Sequence, residues 1–369
     1  MKIFEEAQMI GRRYQMERFL GEGAFGEVYR VRNLHLGRLE ALKVFKLRGM
    51  NKEEVDECLT EPRLLADEHM QHPNIVRIWD ADYLEQADGF LCYFTMEYVG
   101  GGSLHSYWSS FGNRLVPLED VVGIVKQIAS GLALAHRQNP PIVHRDIKPQ
   151  NILIGYDEEG PRPRISDFGL AKRVNPLTLL ASARGTRDFK APEVFSVGDS
   201  CASDVWALGT TMYLLLTDRF PYANIEELHA TQGSATADYS PAGRFNPKVD
   251  SGLERILERC LAKKKEDRYP SASELLTDLK SWRPRKKAQT PDADKSGAST
   301  FGKTAMGKPL TVNEERGREL ARQAIELGRD IRKIQEAADL MEQAFNQAGE
   351  LRSEYDWMVT LWRRGMMVT

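Results

Sequence analysis

The chain has 369 residues, 41% hydrophobic and 28% charged, with a formal net charge of −2. That length allows two or three domains with ample apolar core, and the near-balanced charge excludes global attraction to nucleic acid or an acidic membrane. Cys58, Cys92, Cys201 and Cys260 lie far apart with no Cys-x-x-Cys spacing, which argues against a zinc site or disulfide framework and for a reduced, cytoplasmic setting.

Met1–Ile10 mixes charges with no apolar run, so no signal peptide is expected, and residues 1–13 read as an N-terminal extension. Tyr14–Leu20 and Val28–Arg32 read as strands around Gly21-Glu22-Gly23-Ala24-Phe25-Gly26-Glu27-Val28. Glycines in that spacing let backbone amides approach phosphates where a Cβ would intrude. A dinucleotide-binding turn has the same spacing but leads into a helix, whereas strands on both sides predict a hairpin. Ala41–Phe45 reads as a strand carrying Lys43, for which a solvated strand lysine is the plain alternative. Asn51–Met70 reads as a helix capped by Asn51. It places Glu57 and Glu61 on one face, four residues apart, and Pro62 is expected to kink it. Cys92–Val99 reads as a buried strand running into a glycine-rich turn at Gly100-Gly101-Gly102.

Next comes His144-Arg145-Asp146-Ile147-Lys148-Pro149-Gln150-Asn151, followed by Asp167-Phe168-Gly169. The first string offers a carboxylate, a lysine and an amide oxygen, and the second another carboxylate. Phosphoryl transfer needs such a set, because its catalysis is almost all positioning and charge neutralisation. Ala191-Pro192-Glu193, Ser203-Asp204-Val205-Trp206-Ala207-Leu208-Gly209 and Asp267-Arg268-Tyr269 follow in order. The apolar run Val205–Leu216 is too short to span a bilayer and reads as a buried helix. Each string alone is weak. In this order, over roughly Tyr14–Trp282, they resemble the eukaryotic-type (Hanks-type) protein kinases, and Lys148 resembles their Ser/Thr branch.

The resemblance implies an α+β, bilobal fold, with a small antiparallel sheet lobe and one helix to about Met96, then a larger helical lobe. It implies ATP as phosphoryl donor and Mg²⁺, or Mn²⁺ in its place, held by Asn151 and Asp167. Asp146 would orient the acceptor hydroxyl and Lys148 would meet the γ-phosphate. Lys43, fixed by Glu61, would hold the α- and β-phosphates, with the loop Gly21, Glu22, Gly23, Ala24, Phe25, Gly26 over them. Val28, Ala41 and Leu153 would wall the adenine, with Met96 behind it and the backbone of Glu97 and Val99 at its edge. Leu65, Ile78, His144 and Phe168 resemble the family's apolar stack, though ordinary core residues fit equally. Glu193 would pair with Arg268, and Asp204 would bond the backbone near His144 and Arg145. Arg145 suggests regulation by phosphate on Thr178 or Ser182, with Thr186 structural.

After Trp282 the character changes. Residues 283–313 are basic and nearly free of apolar side chains, and read as a flexible linker, solvated rather than bound to nucleic acid. Residues 314–369 read as a helical, coiled-coil-like interaction segment. Its seam is Leu320, Ala324, Leu327, Ile331, Ile334, Ala338, Met341, Phe345 and Ala348, with a bend expected near Gly349. That seam predicts burial against a second helix, in this chain or another. The sequence thus points to a cytoplasmic Ser/Thr kinase acting on protein substrates, with no membrane span. The competing readings are an inactive kinase-like scaffold and a kinase with a non-protein acceptor.

Overall fold

A computed structural model describes residues 3–23, 26–45, 49–86, 89–112, 114–157, 160–168, 187–222, 228–229, 238–284, 312–328, 333–347, 351, 355, 358–359 and 362. The side chains of Glu61 and of 312–315, 335 and 346–347 lie outside that description. The chain forms two compact units, Met1–Pro284 and Arg285–Thr369.

The first unit opens with six antiparallel strands: β1 (Met9–Ile10), β2 (Tyr14–Glu22), β3 (Gly26–Asn33), β4 (Arg38–Phe45), β5 (Ile78–Gln86) and β6 (Gly89–Glu97). Their order across the sheet is β1-β2-β3-β4-β6-β5. One face packs on helix α1 (Lys52–Ala66) through Val55, Leu59, Ile78, Phe94 and Met96. The other face has its own core, including Phe4, Ile10, Tyr29, Leu42 and Val44. Residues 1–13, read as an N-terminal extension, pack on this sheet: Phe4 and Ile10 are buried in that core.

Asn51 caps α1 in a reciprocal box: its side chain accepts the Glu54 amide, and Glu54 accepts the Asn51 amide. Such a box satisfies two of the helix's open N–H groups. The helix runs on through Pro62 rather than ending there.

The rest of the unit is helical apart from one hairpin. It holds α2 (Leu104–Ser109), α3 (Leu118–His136), β7 (Ile152–Asp157), β8 (Gly160–Ile165), α4 (Cys201–Thr217), α5 (Ser251–Cys260) and α6 (Ala272–Ser281). Helix α4 is apolar all round and buried from Ala202 to Thr217, as a helix at the centre of a lobe must be. Ser200 caps it, and α3 packs against both α4 and α6. This arrangement fixes where the β7–β8 hairpin and the segment before it can lie.

The second unit contains α7 (Val312–Leu327) and α8 (Ile334–Gln347), packed on each other. A break that the seam spacing did not predict falls at Gly328, and the bend expected near Gly349 lies just past the end of α8, outside the described residues. Of the expected seam, Ala324, Ile334, Ala338, Met341 and Phe345 are buried inside this unit, with Leu320 and Leu327 partly buried. Ile331 and Ala348 lie outside the described residues. Leu351, Met358, Val359 and Trp362 complete the core. A Cβ on Gly328 would come within 2.2 Å of the Trp362 ring. No helix among the described residues is long and apolar enough to cross a membrane.

Candidate active site

Strands β2 and β3 form the predicted hairpin, with Gly21 opposite Val28 and Glu22 opposite Glu27. Ala24 and Phe25, at its tip, lie outside the described residues. The Gly23 amide donates to the Gly26 carbonyl at 2.8 Å and closes the turn. Gly26 is needed for space, since a Cβ there would sit 2.1 Å from the Val44 carbonyl oxygen.

Beneath the hairpin, β4 places Ala41 opposite Met96 and Lys43 opposite Phe94. Ala41 and Met96 share one apolar cluster with Val28, Val99 and Leu153, so five of the six residues expected around an adenine come together. Glu97 ends β6, and its carboxylate pairs with Arg164 on β8 at 3.1 Å.

Lys43 is buried, and its Nζ lies 2.5 Å from Asp167 Oδ1. A charge-assisted contact that short is among the stronger polar interactions available. Asp167 adopts a positive φ of 59°, a left-handed backbone that residues other than glycine seldom take. The side chain of Glu61, the expected partner of Lys43, lies outside the described residues, and the partner that is described is Asp167. Glu57 is exposed on the outer side of α1.

The segment 144–151 is held from three directions. Asp204, fully buried at the start of α4, accepts the His144 amide at 2.6 Å and the Arg145 amide at 2.8 Å. Burial would push its carboxyl up, but the hydrogen bond from His136 and the amide of His144 outweigh that and hold it below the usual range. His136 was not singled out by the sequence. It closes α3, with Nε2 3.1 Å from Asp204 and Nδ1 accepting the Ala272 amide. The one sequence signal was a polar residue at the end of an apolar helix.

His144 accepts the Asp146 amide on Nδ1 at 3.2 Å and meets the Ser166 carbonyl through Nε2 at 2.8 Å. Accepting on one nitrogen and donating from the other defines a neutral ring. Burial lowers its pKa in the same sense. Its ring packs on Phe168 with centroids 4.6 Å apart. Leu65, Ile78 and Phe168 line one small cavity together with Val76 and Met96, an arrangement that the apolar stack and an ordinary core both allow.

The result is a compact polar cluster. Lys148 Nζ lies 2.8 Å from Asp146 Oδ2, and Asn151 Nδ2 donates at 2.8 Å to the same oxygen and to the Asp146 carbonyl. The amide nitrogen of Asn151 is thereby committed inward, and its oxygen is the donor atom left for a cation. That oxygen and the Asp167 carboxylate are hard donors of the kind Mg²⁺ selects, so the residues present fit the ion.

Farther out, Arg268 grips Glu193 with two bonds, at 2.6 and 2.9 Å, and also donates to the carbonyls of Ala262 and Lys263. Thr178, Ser182 and Thr186 lie outside the described residues.

Comparison with known proteins agrees with this geometry. The family model described as the protein kinase domain matches residues 14–279. Serine/threonine-protein kinase PrkC of Bacillus subtilis (strain 168) is 34% identical over 274 residues, 73% of this chain and 40% of that protein. Serine/threonine-protein kinase PknB of Mycobacterium leprae (strain TN) is 29% identical over 309 residues, 81% of this chain and 48% of that one. The chain therefore spans under half the length of these relatives. The crystal structure of the Mycobacterium tuberculosis PknI kinase domain superposes with a TM-score of 0.55 at 23% identity, covering 75% of this chain and 99% of that one. At that identity the likeness speaks for the fold.

Proposed function

The chain belongs to the protein kinase family, and on that premise we propose that it transfers the γ-phosphate of ATP to Ser and Thr hydroxyls of proteins, with Mg²⁺. The observation that carries the reading is the convergence of Lys148 and Asn151 on one carboxylate oxygen of Asp146. Asp146 orients the acceptor hydroxyl and takes its proton late in transfer. Lys148 neutralises the γ-phosphate, and Lys43, set by Glu61, takes the α- and β-phosphates. The hairpin residues Gly21 to Gly26 cover them, and Val28, Ala41, Leu153, Met96 and the backbone of Glu97 and Val99 bind the adenine. Asn151 and Asp167 would hold the cation, which when bound supplies neutralisation of phosphate charge. Lys43 now rests on Asp167, so nucleotide binding exchanges that carboxylate for phosphate oxygens.

The reading extends to regulation and placement. Phosphate on Thr178 or Ser182 would draw in Arg145, whose backbone is already pinned by Asp204 and by the Lys190 ammonium on its carbonyl. No disulfide links Cys58, Cys92, Cys201 and Cys260, although Cys58 meets Cys92 in a side-chain hydrogen bond, and thiols that stay reduced at such a contact support a cytoplasmic protein. The second unit would tether the catalytic unit to a protein partner or to another copy, raising local substrate concentration. Its coiled-coil-like seam is occupied within the unit, so such a partner would meet the outer polar faces of α7 and α8.

Incubation with labelled ATP, Mg²⁺ and lysate proteins, followed by mass spectrometry, tests the activity. Phosphoserine and phosphothreonine on added proteins are expected. ATP binding with no transfer to any acceptor would favour a scaffold, and labelled small molecules without labelled protein would move the acceptor class.

A further inference from the structure

Residues 3–10 precede the stretch that the kinase family model matches, 14–279, yet they are built into the small lobe. Ile10 pairs with Tyr14 and Met9 with Gln15. The Ala7 amide donates to the Met16 carbonyl, and the Met16 amide to the Gln8 carbonyl, both at 2.9 Å. The reason for this cover lies in the sheet. The face away from α1 carries Tyr14, Met16, Tyr29, Val31 and Leu42, all at 2% exposure or less. An apolar sheet face of that size needs a second layer, and Phe4 and Ile10 supply part of it.

The contact goes beyond cover. The Ile3 amide donates to Glu27 Oε2 at 2.9 Å and to the Tyr29 hydroxyl at 3.1 Å. The Phe4 amide also reaches that hydroxyl, at 3.2 Å, and the hydroxyl donates in turn to Glu27. The Phe4 ring sits edge-on to Tyr29, centroids 5.7 Å apart. Glu27 is 4% exposed, and a carboxylate buried that deeply needs such donors.

Glu27 is also the first residue after Gly26. It faces Glu22 across the glycine-rich hairpin and Val44, next to Lys43, on the other side. Whatever holds Glu27 from behind therefore fixes the base of the hairpin relative to the lysine strand.

We infer that residues 3–10 are a strap that sets the glycine-rich hairpin for nucleotide, with Glu27 and Tyr29 as its positioning residues. This rests on the kinase reading above. A hairpin held in place offers its amides to phosphates without first being ordered, and that ordering cost is what the strap removes. The strap acts on binding of ATP and leaves the groups around Asp146 untouched.

The test uses two variants of the full chain. Ile3→Pro deletes the one N–H that reaches both Glu27 and Tyr29 while leaving the Phe4 ring, and Phe4→Ala removes the ring. ATP affinity with Mg²⁺ is measured by calorimetry in an Asp146→Asn background, and KM and kcat on a peptide are measured in the parent. Each variant should weaken ATP binding about tenfold, the size of one hydrogen bond to a charged group. KM for ATP should rise by a similar factor while kcat stays within about twofold of the parent's, and Phe4→Leu should restore most of the affinity. Should Phe4→Ala fail to fold, Ile3→Pro carries the test. Unchanged ATP affinity in a folded Ile3→Pro, even with a lower melting temperature, would reduce the strap to structural cover and overturn the inference alone. Absence of ATP binding by the unsubstituted chain would overturn the kinase reading, and the inference with it.

Discussion

The two compact units bury very different things. Every buried polar or charged side chain among the described residues belongs to the first unit: Lys43, His136, His144, Asp204 and Arg268 stand among them. The buried side chains described in the second unit are Ala, Ile, Met, Phe, Leu, Val and Trp. Burying a charge is unfavourable unless it is paired, so a protein keeps such groups where they position something. In the first unit they hold the segment 144–151 and the lysine strand. In the second, small residues let two helices approach closely, and the polar groups stay outside. The comparison places the residues proposed for chemistry in one unit and leaves the other as a helix pair with an apolar interior.

The most severe way to test that division is Asp146→Asn. The amide keeps the shape of the side chain but cannot take the acceptor's proton or hold Lys148 as an ion pair. Turnover should fall by about a thousandfold or more while ATP affinity stays near the parent's. Steady-state kinetics with calorimetry would read both, and turnover within tenfold of the parent would remove Asp146 from the reaction.

Next in size is Glu193→Ala. It strands Arg268, whose side chain is fully buried, and breaking one side of such a pair costs about 3–5 kcal/mol. Chemical denaturation should show the loss in the transition of the first unit, with the second unit's transition unmoved. A loss below about 1 kcal/mol would mean the pair is replaced by water when broken.

What the sequence made legible follows the same divide. The strings at 144–151 and 167–169 had few structural reasons to occur together, so they could be singled out directly as one candidate site, and Asp204, Glu193 and Arg268 took their places through the resemblance. The partner of Lys43 was less legible, because an ion pair depends on which carboxylate the fold brings near, and here Asp167 sits at 2.5 Å. His136 and the strap were missed for a physical reason. One polar residue on an apolar helix and a mixed stretch such as Met1–Ile10 carry no periodicity, and their roles come from tertiary contacts. The second unit misled in a different way. Its 4-3 spacing runs unbroken from Leu327 through Ile331 to Ile334, which hides a turn. The signal was Gly328, the residue type that most often follows a helix end.

Gly328→Ala turns that signal into a measurement. The added Cβ would meet the Trp362 ring at 2.2 Å, an overpacking that costs about 1–3 kcal/mol. Melting of the second unit should drop, and phosphorylation of a short peptide should not change. Loss of peptide phosphorylation would show that the second unit is required by the catalytic one, contrary to the division drawn above.

The smallest effect is set by pH, and it separates the units without any large structural change. All seven histidines of the chain lie in the first unit. His144 is fully enclosed, and burial holds its pKa below the ordinary value of 6.5. As pH falls through about 6.5, the unfolded chain takes up a proton that folded His144 refuses, so stability is lost on acidification. One such group contributes at most about 1.4 kcal/mol per pH unit. Denaturation between pH 7 and 5.5 should therefore lower the first unit's transition and leave the second nearly level. His144→Phe keeps a ring against Phe168 but has no nitrogen for the Asp146 amide or the Ser166 carbonyl. It should be less stable at pH 7 and show a shallower slope than the parent. His72 and His229, also lowered by burial, keep some slope in the variant, so the difference between the two curves is what reports on His144. Identical slopes would mean that folded His144 takes up its proton as readily as the unfolded chain, and the neutral ring drawn from its two hydrogen bonds would have to be abandoned.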